Sequence, residues 1–217
     1  MERASKRKWI GLAGIGLVCG VLSLAVWLFR PREGKGAVSC DPLYQFSVEE
    51  IRARIDETYP KMLELNEANK ARFVWDEYGS PEQLGKVRMR AMHLFLEDFE
   101  EGKEQGRYIL GELPCLLFPS DDFDLALCSH FLFTYSEQFS AEFHIASMME
   151  MARVAEEVRV FPLLTAFSGE LSPHLSTVME TLRNRGYGVD VRQVEYEFQK
   201  GGNRMLVVSR QDKKGIK

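Results

Sequence analysis

The chain has 217 residues, of which 45% are hydrophobic and 11% aromatic, so it can bury one core of ordinary size and is not a disordered tail. The formal net charge of −4 hides an asymmetry, because residues 1–36 carry seven Lys and Arg against two Glu and the remainder therefore stands at −9. An acidic body of this kind argues against a broad nucleic-acid-binding face, and no nucleic-acid partner is expected.

The N-terminal segment contains a long apolar run, Trp9–Phe29, with 21 residues and no charge. At 1.5 Å per residue, a helix of this length covers roughly the 30 Å of a bilayer's hydrocarbon core. Basic residues flank the run on both sides, and tryptophans lie near its two ends, where interfacial aromatic residues are favoured. The run predicts an N-terminal apolar transmembrane helix, with membrane attachment through residues 9–29, in a single-pass protein whose remaining domain is cytoplasmic.

A second interpretation of the same segment starts from its glycines. Gly14 and Gly16 follow a short apolar start, and an apolar run then leads to a strand, which is the order of a nucleotide-binding βαβ unit. The helix that this interpretation requires, Leu17–Phe29, is apolar on all sides, whereas a surface helix has a polar face. A degenerate first βαβ unit, which would make the protein cytoplasmic, stays an alternative, as do an export signal and a sequence error upstream of Ala37.

The next elements are a short strand, Ala37–Cys40, and a helix that begins at Ser47. Ser47 and Glu50 have the spacing of a capping box, in which each residue satisfies a free backbone donor at the start of the helix. Apolar residues then recur at helical spacing until Pro60, which is expected to interrupt the helix because it lacks a backbone N–H.

A second helix is predicted from Ser80, followed by proline in the first turn, to just before Gly102. Its apolar stripe is predicted to consist of Leu84, Val87, Ala91, Phe95 and Phe99. The two helices form an insertion, residues 47–104, that is far longer than a crossover between two strands requires. Such an insertion is typical of a lid or of a subdomain that selects the substrate.

The remaining elements alternate between strands and helices. The predicted strands are Tyr108–Leu110, Leu125–Cys128, Val158–Leu164, Val189–Tyr196 and Met205–Ser209, and the predicted helices are Ser140–Val154 and one that Ser172 and Pro173 cap. This order predicts an α/β fold with a mostly parallel sheet and a C-terminal antiparallel hairpin. The domain is expected to comprise residues 37–209, after an N-terminal region 1–36 and before a basic tail 210–217.

Three short motifs follow predicted strands and carry a family resemblance. They are Val38-Ser-Cys-Asp-Pro42, Gly111-Glu112-Leu113, and Asp124-Leu-Ala-Leu-Cys-Ser-His130. In this order and spacing they resemble the class I S-adenosylmethionine-dependent methyltransferase family, particularly its bacterial members. The resemblance implies a Rossmann-like methyltransferase fold. The chain departs from the family in lacking the acidic residue and glycine loop of the first strand, so the sheet is expected to be incomplete at that strand.

The resemblance also implies a cofactor, S-adenosylmethionine, and a set of residues that bind it. Asp41 would accept hydrogen bonds from both ribose hydroxyls, and Glu112 with Leu113 would hold the adenine. Ser129, His130 and Phe131 would lie beside the methionine end and the methyl acceptor, with His130 as a candidate catalytic base. The acceptor itself is not identified by any motif.

Each of these residues also has a structural interpretation. Asp41 before a proline is a good turn former, Glu112 can simply be solvated, and a histidine after a buried strand commonly packs and makes one hydrogen bond. Tyr196, Phe198 and Gln199 fit a hairpin turn with packed aromatic residues better than an acceptor pocket.

Metal and thiol chemistry find little support in the sequence. The four cysteines form no Cys-x-x-Cys pair and are predicted to be reduced; they are Cys19, Cys40, Cys115 and Cys128. His93, His144 and His174 fall on separate helices without the spacing of metal ligands, so no metal site is predicted.

The sequence therefore predicts a membrane-attached methyltransferase-like protein that transfers a methyl group to an unknown acceptor. The alternative is a membrane-anchored, non-catalytic binding or scaffold protein that retains a degenerate form of the fold. A hydrolase using Cys128 or His130 is a weaker hypothesis, because no Gly-x-Ser-x-Gly motif is present.

Overall fold

A computed structural model of the chain describes residues 26–30 and 35–210. They form a seven-stranded sheet in the order β3-β2-β1-β4-β5-β7-β6. The strands are β1 Val26–Arg30, β2 Lys35–Cys40, β3 Tyr108–Ile109, β4 Phe123–Ser129, β5 Ala155–Phe161, β6 Tyr187–Gln193 and β7 Arg204–Arg210. The helices are α1 Val48–Ala68, α2 Pro81–Glu104, α3 Ala141–Val154 and α4 Leu175–Asn184, with 3₁₀ turns at Pro42–Gln45, Lys70–Arg72 and Phe133–Tyr135.

The sheet is mixed rather than mostly parallel as predicted, because four of its six strand pairings are antiparallel and strands β1 and β7 run against the other five. β2 pairs in parallel with β3, and β4 pairs in parallel with β5. β7 is antiparallel to both β5 and β6, so β6 and β7 form the predicted C-terminal hairpin. β1 is antiparallel to both of its neighbours, β2 and β4. The mixed sheet with its helices is consistent with a Rossmann-like methyltransferase fold.

The expectation of an incomplete sheet is wrong, because β1 fills the place of the first strand. Leu28 is fully buried at the centre of the sheet and is paired with Val38 on one side and Ala126 on the other. Only four residues separate the end of β1 from the start of β2. A parallel crossover needs a dozen or more, so neighbouring strands this close in sequence must pair antiparallel. The sheet accordingly includes residues that precede position 37.

The predicted transmembrane helix Trp9–Phe29 is wrong in its last four residues, which belong to β1. A strand covered on both faces is a continuous apolar run, and such a run cannot be distinguished from a buried or membrane helix by hydropathy alone. Residues 9–25 lie outside the described part of the chain. Among residues 26–30 and 35–210, no helix combines the length and hydrophobicity that crossing a membrane requires.

The helical insertion forms an apolar cluster of its own beside β2 and β3. Helix α1 does not end at Pro60 but continues to Ala68, with Met62 and Asn66 buried on its last turns. Helix α2 likewise continues past Gly102, where the absence of a side chain is required. A Cβ atom at this position would lie 2.3 Å from the Tyr108 ring. Packing of one helix against the other and against β3 therefore overrides both predicted stop signals.

Helix starts are where the sequence predictions hold best. Ser47 and Glu50 make the reciprocal bonds of the capping box, with Ser47 Oγ accepting from Glu50 N–H at 3.2 Å and the Glu50 carboxylate accepting from Ser47 N–H at 2.9 Å. Ser80 and Ser140 each accept a hydrogen bond from the N–H three residues later. These local bonds depend on sequence spacing alone, which explains why they could be predicted.

The central position of Leu28 predicts a large loss of stability on truncation. Leu28→Ala should lower the free energy of unfolding by about 2–5 kcal/mol, because it leaves a cavity in the main core that packs on the sheet. Urea denaturation of full-length protein measures this loss. Leu117→Ala, at a side chain that is 82% exposed, is the matched control and should change the free energy by less than about 0.5 kcal/mol. A loss below about 1 kcal/mol for Leu28→Ala would contradict the central position of β1.

Candidate functional site

The carboxyl ends of β2, β3 and β4 meet at one edge of the sheet. Cys40 pairs with both Val26 and Ile109, and Val26 also pairs with Cys128, so the ends of these strands are level. The five strands β3-β2-β1-β4-β5 have the order 3-2-1-4-5 of doubly wound nucleotide-binding sheets. In such sheets ligands bind outside the carboxyl ends, where the strand order reverses, which here is the position of β1. The three predicted motifs follow β2, β3 and β4 at this edge.

Asp41 follows β2 and is 1% exposed. Its Oδ1 accepts a hydrogen bond from Leu43 N–H at 2.6 Å and thereby caps the 3₁₀ turn Pro42–Gln45. Its own N–H donates to the Ile109 carbonyl at 3.3 Å, which ties the ends of β2 and β3 together. Burial raises the pKa of Asp41 to about 7, although the bond from Leu43 N–H acts in the opposite direction. The Asp41 side chain thus stabilises the turn that follows β2, in agreement with its interpretation as a turn former.

The Gly111-Glu112-Leu113 turn packs directly against the end of β2. A Cβ atom on Gly111 would lie 2.4 Å from Cys40 Sγ, so only glycine allows this approach. The Glu112 carbonyl accepts from Cys115 N–H at 2.9 Å, and burial raises the pKa of the Glu112 carboxyl. Leu113 is buried in the main core. The Glu112 side chain is nevertheless exposed to solvent, whereas the side chain of Leu113 serves packing.

At the end of β4, Ser129 and His130 form a hydrogen-bonded pair. Ser129 Oγ lies 2.8 Å from His130 Nδ1, and His130 N–H donates to the Phe161 carbonyl at 2.7 Å. His130 has a φ of 54°, in the left-handed region, which turns the chain sharply after the strand. Burial, assisted by the charge of Arg88, lowers the pKa of His130 to about 4. Phe131 is buried among aromatic core residues, so only its backbone is left for a ligand.

A narrow cleft opens beside His130, between the helical insertion and the β6–β7 connection. The residues that line it are Asn66, Phe73, His130, Thr134, Phe161, Pro162, Ala166, Phe167, Tyr196, Phe198, Gln199 and Gly202. The Phe198 and Phe73 rings stack with centroids 4.7 Å apart. Val74 N–H donates to the Phe198 carbonyl at 2.8 Å and Lys200 N–H to the Arg72 carbonyl at 2.9 Å, which holds the two segments together. The hairpin aromatics therefore both pack and line a cleft.

Arg88 lies behind this cleft on helix α2, whose predicted inward stripe is right for Leu84, Phe95 and Phe99 and wrong for two other residues. The predicted stripe included Val87 and Ala91, but both are exposed, and Arg88 is buried instead. The Arg88 guanidinium lies 5.8 Å from the Phe198 ring and donates to Met62 Sδ at 3.4 Å. The helical spacing from Leu84 to position 88 was the available signal. Nothing in the sequence indicated that Asn66 and Thr134, from distant segments, would line the same cleft.

Two of the three thiols of the described residues, those of Cys40 and Cys128, are poorly suited to nucleophilic chemistry, whereas Cys115 is exposed. Cys40 and Cys128 are buried, and burial raises the pKa of each thiol to about 12. A thiol that stays protonated is a weak nucleophile, so the hydrolase hypothesis gains no support from Cys128. Within residues 26–30 and 35–210, no three His, Cys, Asp or Glu side chains converge as possible metal ligands.

Comparisons with known proteins identify a relative in sequence and partial matches among solved structures. No protein-family model matches the chain. It is 31% identical over 184 residues to the uncharacterized protein MJ0045 of Methanocaldococcus jannaschii, which covers 82% of this chain and 78% of that protein. It is similar to a SAM-dependent methyltransferase from Methanosarcina mazei, at 11% identity and a TM-score of 0.32, over 48% of this chain and 66% of that one. For a SAM-dependent methyltransferase from Aquifex aeolicus the identity is 18%, the TM-score 0.30 and the coverage 54% and 61%. The chain spans less than two thirds of both structures, and TM-scores this low do not establish a shared activity.

The buried carboxyl of Asp41 predicts a pH-dependent stability. Its pKa is about 7 in the folded protein against an ordinary value of 3.8. The folded state therefore binds this proton more tightly than the unfolded state does. The resulting gain in the free energy of unfolding is fully present below about pH 4, falls as the pH rises to about 7, and is absent at higher pH. Asp41→Asn, which keeps an acceptor for Leu43 N–H, should remove this dependence and be the more stable form at pH 8.

The measurement is the difference in the free energy of unfolding between the parent protein and Asp41→Asn, by urea denaturation from pH 4 to 8. Taking the difference cancels the titration of all other groups. Leu117→Ala, at an exposed side chain that does not titrate, is the control and should show a constant difference. A constant difference for Asp41→Asn as well would mean that the Asp41 carboxyl titrates normally.

Proposed function

We propose that the chain is an S-adenosylmethionine-dependent methyltransferase. It belongs to the family of the protein MJ0045 of Methanocaldococcus jannaschii, whose name assigns no activity, so the proposal rests on the site itself. The observation that carries the proposal is the 3-2-1-4-5 strand order, with a carboxylate directly after β2. Doubly wound sheets that bind nucleotides use an acidic residue near this position for the ribose. The acceptor of the methyl group is not identified.

The proposed roles divide between the two sides of β1. Asp41 binds the ribose, since a carboxylate has about four acceptor sites and the bond from Leu43 N–H uses one of them. Glu112 and the Leu113 backbone hold the adenine in the turn after β3. On the other side of β1, Ser129, His130 and the Phe131 backbone lie near the methionine end. S-adenosylmethionine would supply a reactive methyl sulfonium, so the protein needs chiefly to align the acceptor with it.

His130 is proposed to orient the acceptor and to take its proton. With its pKa lowered to about 4, the imidazole is neutral at physiological pH. We assign Nδ1–H as donor to Ser129 Oγ, 2.8 Å away, which leaves Nε2 as an acceptor. A group with so low a pKa is a weak base at neutral pH, so its contribution should come at the lower end of the range for general bases.

The cofactor proposal predicts binding that depends on Asp41. Isothermal titration of S-adenosylmethionine into full-length protein should give a dissociation constant on the order of 10 μM, equivalent to roughly −7 kcal/mol. Asp41→Asn should weaken binding at least tenfold, because an amide has one acceptor oxygen and no charge. Asp190→Asn is the matched control and should bind as the parent does. Absence of binding in a folded sample, or equal affinity for Asp41→Asn, would refute the assignment.

The role proposed for His130 predicts an effect on the rate of methyl transfer that is separate from cofactor binding. His130→Gln should lower kcat for the acceptor about 100-fold and leave the affinity for S-adenosylmethionine within about twofold. The comparison requires single-turnover rates at saturating cofactor. Ser136→Ala, a buried serine outside the cleft, is the control for general loss of packing. An unchanged kcat in His130→Gln would show that alignment alone sustains the reaction.

The second candidate function is a non-catalytic binding or scaffold protein. The reversed direction of β1 favours it. The end of β1 lies at the opposite edge of the sheet, where Arg30 forms an ion pair with Asp122 at the start of β4. A glycine loop that follows β1 would thus be on the wrong side for the cofactor. Absence of S-adenosylmethionine binding in folded protein would favour this second function over the methyltransferase.

Membrane attachment through the N-terminal segment stays a prediction. It is tested by fractionating cells that express the full chain. Recovery of all the protein without detergent would rule out an anchor, whereas recovery that requires detergent would support it.

A further inference from the structure

We propose that the cleft beside His130 binds a small uncharged aromatic molecule that carries a hydroxyl or carbonyl oxygen. The cleft lies between the end of α1, the ends of β4 and β5, and the β6–β7 connection. Binding by itself does not depend on methyl transfer. Its use for the methyl acceptor rests on the function proposed above.

Two buried polar atoms in the cleft lack hydrogen-bond partners. Asn66 Nδ2 and Thr134 Oγ1 belong to side chains that are 2% and 7% exposed, and neither atom has a partner within the described part of the chain. An unsatisfied buried polar group costs roughly 1–3 kcal/mol, and such groups in native proteins are few. A ligand oxygen that accepts a hydrogen bond from Asn66 Nδ2, and that accepts from or donates to the Thr134 hydroxyl, would remove this cost.

Packing alone does not explain these two residues. Asn66 continues the inward face of α1 that contains Ile51, Ile55 and Met62, where an apolar side chain of similar size would fit. Thr134 lies in the 3₁₀ turn that follows β4, between two buried aromatic residues. Both come from separate segments, and both line the same cleft as His130. The site thus brings together a donor, a hydroxyl and a neutral imidazole.

The walls of the cleft favour an aromatic ligand. Phe73 and Phe198 stack on each other, and the Phe161 ring lies edge-on to His130 at 5.9 Å and 6.1 Å from Tyr196. Rings at such distances and angles leave aromatic faces and edges against which another planar ring can pack. Apolar walls with a few convergent polar groups are typical of small-molecule sites.

Charge and size narrow the ligand further. Among the lining residues of the described chain there is no Asp, Glu, Lys or Arg, so neither an anion nor a cation would find a counter-ion in the cleft. Arg88 lies behind Phe198 and disfavours a cationic ligand. The cleft offers about 30 Å³ to water-sized groups, which is enough for a single such group. The ligand's oxygen would occupy this space, and its ring would pack on the aromatic side chains at the open side of the cleft.

The test uses p-cresol as the probe and toluene, which lacks the hydroxyl, as its analogue. Binding to full-length protein is measured by NMR titration without S-adenosylmethionine. We expect p-cresol to bind more tightly than toluene. Asn66→Leu and Thr134→Val should each weaken p-cresol binding roughly three- to tenfold, the value of one hydrogen bond, and leave toluene binding unchanged. Ser147→Ala removes another unpartnered buried hydroxyl, outside the cleft, and should change neither.

Thermal unfolding of the same variants separates a ligand site from a structural role. Replacing an unsatisfied polar group with an apolar group of similar shape should leave the Tm equal or higher. A lowered Tm with unchanged p-cresol affinity would assign both residues to the fold and overturn the proposal. Equal binding of p-cresol and toluene, or tighter binding of benzyltrimethylammonium than of p-cresol, would overturn it as well.

The experiment also distinguishes this inference from the methyltransferase proposal. Binding of p-cresol in protein that does not bind S-adenosylmethionine would refute only the transferase. Binding of S-adenosylmethionine in protein that does not bind p-cresol would refute only the aromatic site.

Discussion

The hydrogen bonding of β1 to two neighbours holds the sheet together. β1 lies between β2 and β4 and pairs with both along its length. Without it, β3-β2 and β4-β5-β7-β6 would each present an unpaired inner edge, which folded proteins avoid. Val26 and Leu28 also supply buried side chains to the main core. The position of every motif at the carboxyl edge therefore depends on this five-residue strand.

The direction of β1 determines what that edge can contain. Because β1 is antiparallel, its first residue, and not its last, lies level with Cys40 and Cys128. Two strand spacings, about 10 Å, separate the end of β2 from the end of β4. Asp41 and Glu112 thus lie on one side of the position where the strand order reverses, and Ser129 and His130 on the other. A cofactor at this edge would have to span the distance between the two sides, as the methyltransferase proposal requires.

The helical insertion has a different relation to the sheet. It packs on itself through a separate apolar cluster and joins the β6–β7 connection through backbone hydrogen bonds and stacked rings. The contact closes the cleft around His130. Burial there lowers the pKa of His130 to about 4 and leaves Asn66 Nδ2 and Thr134 Oγ1 without partners in the described chain. If the residues of this cleft served packing alone, apolar side chains would fill the same space without the free-energy cost of burying unpartnered polar groups.

Local features of the protein were determined by sequence alone. The capping box of Ser47 and Glu50, the C-terminal hairpin and the strands before Asp41 and His130 depend on residues close in sequence, whose spacing specifies their hydrogen bonds. Tertiary structure decided the rest. An uncharged apolar run satisfies a membrane helix and a central strand equally, so only pairing with β2 and β4 made residues 26–30 a strand. Likewise, Arg88 rather than Val87 is buried, and Asn66 and Thr134 line the same cleft, because packing between distant segments brings together side chains that no sequence spacing relates.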